Sequence, residues 1–256
     1  MIAFLLQSVQ TEKRMKQIWK TTLWVIVFAI AMGFMECAVV VYLREIYYPD
    51  GFRFPLQPIG KSIGITEILR EAATLIMLIS IGALAAKRWL VRFACFILAF
   101  AVWDIFYYVF LKVLLGWPES LFTWDILFLI PMAWVGPVLA PIINSLSMIL
   151  LAMVIVFYSS KRERIIMRWQ EWALLILGSL VLIINYMEDY ASFMLRKFTI
   201  MELFASENLS EIVRLSGEYV PRHFSWLWFW VGQLIILAAV IIFSIRNRRE
   251  AAKDFS

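Results

Sequence analysis

The chain has 256 residues, 63% of them hydrophobic and 16% aromatic, and carries a formal charge of +5. Soluble domains are about 45–50% apolar, so this composition belongs to a polytopic membrane protein rather than a soluble enzyme. The basic residues lie in short clusters beside apolar runs, as topology signals do, and form no basic face of the kind that binds nucleic acid.

The first ten residues, MIAFLLQSVQ, are apolar, but the basic residues follow them instead of preceding them. That is not the order of a cleavable signal, and a short segment lying on the membrane surface is expected there. Six apolar runs then follow: residues 20–43, 64–86, 92–115, 123–158, 170–192 and 224–245. A crossing needs about 20 apolar residues, so six transmembrane helices are predicted in a single all-α domain. The fourth run is too long for one crossing and is interrupted by Pro131, Gly136, Pro137 and Pro141. Proline removes a backbone donor and breaks helices. Span 4 therefore reads as a broken or re-entrant half-helix at 123–135 and a crossing at 137–158, with no strands anywhere. Such breaks survive at membrane depth only where protein or a wet cavity satisfies the freed backbone groups.

Lys and Arg set the orientation. Lys13, Arg14, Lys16 and Lys20, then Lys87, Arg88 and Arg92, then Lys161, Arg162, Arg164 and Arg168, then Arg246, Arg248, Arg249 and Lys253 all fall at one end of the predicted bundle. The other end receives roughly half as many, which places both termini in the cytoplasm of a cell inner membrane. Of the outer loops, YYPDGFRFPLQPIG (residues 47–60) is rich in Pro, Gly and aromatics and predicts an ordered cap. In the longest, residues 208–219 alternate at helical spacing and predict a short helix, either lying on the outer membrane surface or packed on the bundle. The Asn208-Leu209-Ser210 sequon within it is short enough to arise by chance.

Within the spans, polar residues gather toward the outer end. Glu36 lies about 10 Å below the outer end of its run. Glu67, Arg70 and Glu71 follow i, i+3, i+4 spacing and share one helix face, as do Asn185, Glu188 and Asp189. Asp104, Tyr108 and Lys112 are spaced by four, and Asp125 enters from the proline-interrupted run. Asp104 and Asp125 each sit in a Trp-Asp-Ile triplet, on either side of a Gly116-Trp117-Pro118 turn. A charge facing lipid costs about 2.5–3.5 kcal/mol at the bilayer centre, so these residues are expected to converge inward and to pair with Arg70 and Lys112.

The single His, His223, and the two Cys, Cys37 and Cys95, form no haem or zinc motif. The catalytic residues, if any, and the cofactor are unknown from sequence. The leading expectation is a carboxylate-rich pocket open to the outside that binds a small ligand, a cation or a proton, with transport as an extension. One alternative is a membrane-embedded enzyme using paired carboxylates on a lipid- or quinone-like substrate, with Tyr107, Tyr108 and Trp117 lining its pocket. The other is a non-catalytic subunit whose polar faces meet partner membrane subunits. The lipid bilayer is the one partner all three share.

Overall fold

A computed structural model of the protein describes residues 2–57, 59–162, 164–203 and 209–253. The elements are α1 (Ile2–Tyr47), α2 (Lys61–Ala85), α3 (Trp89–Leu115), β1 (Trp124–Phe128), β2 (Trp134–Pro137), α4 (Leu139–Lys161), α5 (Trp169–Met194), α6 (Ile200–Leu203), α7 (Leu209–Ser216) and α8 (Trp226–Lys253). Six of the helices, α1 to α5 and α8, are long and apolar enough to cross a membrane, which makes this a helical, multi-pass membrane protein in contact with the lipid bilayer.

Helix α3 is the hub. It packs on α1, α2 and α4, while α5 pairs with α8 and α8 joins the rest through α4. Lipid tails are as apolar as leucine, so close packing holds such helices together rather than water exclusion. Small residues permit it: Ala29, Ala94, Ala99 and Ala152 are fully buried along the α1, α3 and α4 contacts. The α5–α8 crossing is closer still. A Cβ on Gly178 would lie 2.9 Å from the Gly232 carbonyl oxygen and 2.7 Å from Cγ1 of Ile236. Around the outside, Trp24, Leu84, Ile184 and Leu234 are exposed, as lipid-facing residues should be.

The basic clusters meet at one end of the bundle. Arg14 donates to the Ser160 and Lys161 carbonyls, Arg88 to those of Ser159 and Arg162, and Arg162 pairs with Glu250. Two features depart from the sequence expectations. The N-terminal segment continues α1 without interruption, because no Gly or Pro occurs before Gly33 to end the helix. More consequential is the start of the fourth run. Residues 123–135 are not a half-helix, and the expectation of no strands is overturned. β1 and β2 form an antiparallel hairpin pairing Trp124 with Pro137, Asp125 with Gly136, Ile126 with Val135 and Phe128 with Trp134. The ladder supplies the hydrogen bonds that prolines deny a helix, and Trp, Ile, Phe and Val favour the extended backbone. Pro137 closes β2, where its missing donor costs least. The crossing proper starts at Leu139, and Pro141 sits in the first turn of α4, where proline is tolerated.

The outer end is capped by loops. The Gln57 amide donates to the Tyr48 hydroxyl, and Phe52 packs edge-on against Tyr48, Phe54 and Trp117. Phe54 in turn meets Tyr219 from the loop before α8. The expected loop helix is α7, tied to the bundle by a 2.7 Å hydrogen bond between Ser216 and Tyr190. Asn208 of the sequon lies outside the described residues.

Candidate functional site

At the end of the bundle opposite the basic clusters, a cavity of about 230 Å³ opens among α1, α2, α3, β1 and the loop after α1. Seven of the residues singled out from the sequence line it: Glu36, Glu67, Arg70, Glu71, Asp104, Tyr108 and Asp125. Spacing explains how α2 contributes three of them, since i, i+3 and i+4 share a face. Arg70 is the centre of the α2 group. Its Nε and Nη2 donate to Glu67 at 3.0 and 2.8 Å, and its Nη1 pairs with Glu36 on α1. The second oxygen of Glu36 accepts from the Thr74 hydroxyl at 3.2 Å. Glu71 forms no contact ion pair with Arg70 although it lies within its electrostatic reach, and it accepts the Leu129 backbone N–H, just beyond β1, at 2.8 Å.

The second group surrounds Asp125. It accepts from the Tyr108 hydroxyl at 3.1 Å and lies 3.6 Å from Arg44. Arg44 is only 7% exposed, and its guanidinium sits 3.7 Å above the Trp117 ring and 4.5 Å from that of Phe52. Stacking on aromatic faces suits a planar, weakly hydrated guanidinium. Asp104, one helix turn below Tyr108, accepts from Ser145 of α4 at 2.8 Å and so links the cavity to the far side of α3. There, Gln233 of α8 accepts from Ser147 and donates to Asn144. Tyr186 of α5 stacks on Trp134 with ring planes 9° apart, its hydroxyl buried without a partner among the described residues.

Four of the sequence-singled residues do not reach the cavity. Lys112 was expected to pair with an acid. Its ammonium instead donates to the Gly116 and Pro118 carbonyls at 2.9 and 2.8 Å, closing the C-terminal end of α3, where a cation is favoured and where Gly116 adopts the left-handed conformation. Asn185 is buried between helices, with both amide atoms unpaired among the described residues. Glu188 is exposed. Asp189 organises the loop before α8, accepting from the Tyr219 hydroxyl at 2.6 Å and from the Arg222 and His223 amides. Burial first, and then the Asp189 carboxylate, push the Tyr219 phenol above its ordinary range.

Sequence reasoning did not single out Arg44, because a basic residue at a span end reads as a topology signal. It also missed a second ionic cluster at the basic end, built round the buried Glu171. Arg246 grips Glu171 through Nε and Nη2, both at 2.9 Å, and Glu250 joins Arg246, Arg162 and Arg168. Glu171 is 1% exposed. No protein-family model matches the chain, and no curated protein or solved structure shows significant similarity to it.

Proposed function

We propose that the protein binds a small, positively charged ligand in the cavity between α1, α2 and α3. The observation that carries this reading is an imbalance of charge. Five carboxyl groups, Glu36, Glu67, Glu71, Asp104 and Asp125, line one cavity with only two guanidinium groups, Arg44 and Arg70. Paired acids and bases would suffice for a structural network. An excess of buried acids needs a cation or protons to balance it. Glu71 and Asp104 are the natural ligand-facing groups, because neither is ion-paired with an arginine and both line the cavity. A bound metal ion is the least supported version, since no three Asp, Glu, His or Cys side chains converge as a ligand set among the described residues.

The basic clusters at the opposite end support an orientation in a cell inner membrane with those loops and both termini cytoplasmic, so that the cavity opens to the outside. Transport through the bundle has less support. Below Asp104 and Gln233 the interior is Val25, Ala29, Leu98, Ile155 and Phe243, an apolar plug.

The test is direct titration of the purified protein with inorganic and organic cations at acidic, neutral and alkaline pH, read by tryptophan fluorescence, since Trp103 lines the cavity. A saturable change is expected, and it should be lost in the Glu71→Gln/Asp104→Asn double variant. No saturable response to any cation or to protons would overturn the proposal.

A further inference from the structure

The cavity wall is as aromatic as it is acidic. Tyr47, Tyr48, Phe52, Trp103, Tyr107 and Tyr108 all line it. A hydrated inorganic ion gains little from such a surface. An alkylammonium gains from both components, because ring faces attract a diffuse cation while carboxylates balance its charge. Two further donors bear on the rest of the ligand. Trp103, 7% exposed, has its indole N–H buried without an acceptor among the described residues, and Arg44 Nη1 is in the same condition. Buried donors left unpaired are costly, and both residues line this cavity.

Resting on the cation-binding reading above, we infer that the ligand is an organic ammonium compound that also carries an acceptor oxygen. The ammonium sits among the tyrosines beside Glu71 and Asp104, and the oxygen accepts from Trp103 or Arg44. Tyr107 is the specificity residue for the ammonium end. Its ring lies 5.0 Å from that of Tyr108, so the two form one aromatic corner of the cavity. The same chemistry occurs in free solutes and in lipid headgroups.

The experiment uses the full chain in nanodiscs of phosphatidylglycerol, titrated with choline, glycine betaine, tetramethylammonium, and sodium, potassium and calcium chlorides. Choline should bind saturably, with tetramethylammonium roughly tenfold weaker because it lacks the oxygen, and glycine betaine, whose carboxylate cancels its charge, weaker than choline. Tyr107→Leu should abolish ammonium binding. The conservative Trp103→Phe, which keeps an aromatic ring and removes the N–H, should bring choline down toward tetramethylammonium while leaving the protein monodisperse. Binding of inorganic cations or protons alone would overturn the ammonium inference and leave the broader reading standing, whereas binding of nothing would overturn both. Equal affinity for choline and tetramethylammonium, unaffected by Trp103→Phe, would overturn the acceptor. Repeating the titration in phosphatidylcholine nanodiscs identifies the source. Competition by the lipid points to a headgroup and unchanged affinity to a free solute, and either result upholds the chemistry.

Discussion

The bundle holds two arginine clusters, one at each end and each set round buried carboxylates, and they are built to different ends. At the basic end, Arg246, Arg162 and Arg168 surround Glu171 and Glu250, so positive charge is in excess and each acid is held by a guanidinium. At the other end, Arg70 holds Glu36 and Glu67, Arg44 lies beside Asp125, and Glu71 and Asp104 are held only by hydrogen bonds. One cluster stitches α5 to α8. The other walls a cavity. Polar residues at membrane depth are therefore not sufficient to mark a site; uncompensated charge beside open volume is what separates the two.

Breaking the first cluster should cost the most. Arg246→Met strands a carboxylate that is 1% exposed, and removing one partner of a buried pair costs about 3–5 kcal/mol. The thermal midpoint in detergent should fall further than for any variant at the cavity. Gly178→Leu comes next, because its side chain must displace Ile236 or the Gly232 backbone. About 3 kcal/mol is expected for such overpacking, seen as protease sensitivity of the α5–α8 pair with cation binding retained once folded. Arg70→Gln should cost less, about 2 kcal/mol, since the cavity lets a cation take the place of the lost guanidinium. It should also tighten cation binding, and weaker binding in a titration would contradict the charge-imbalance argument. Lys112→Met should cost only about 0.5 kcal/mol through the end of α3, and leave ligand titrations unchanged.

Much of this was legible in the sequence because it rests on local spacing. The six crossings follow from run length, and Glu67, Arg70 and Glu71 share a face whatever surrounds them. The same rule misled for α5. Glu188 lies about 60° beyond Asn185 around the helix. The row that α5 turns inward is set by Gly178, Leu182 and Asn185, which leaves Glu188 outside. What could not be read depends on partners distant in the chain. Arg44 is buried by Phe52 and Trp117, contributed by two separate loops, and Glu171 meets Arg246 from a helix 75 positions away. The prolines announced that a helix would fail near residue 131, yet a strand at 124–128 also requires a second strand to receive it.

The hairpin gives Glu71 a second consequence. A two-stranded ribbon has open edges, and the N–H of Leu129, at the end of β1, reaches into the bundle for the Glu71 carboxylate. Any ligand that draws that oxygen away leaves the Leu129 amide without its acceptor. Occupancy of the cavity and seating of the hairpin are thus linked reciprocally, each shifting the free energy of the other. A probe placed in the 130–133 turn, which follows the cavity-lining Leu129, would report ligand arrival without touching the cavity itself.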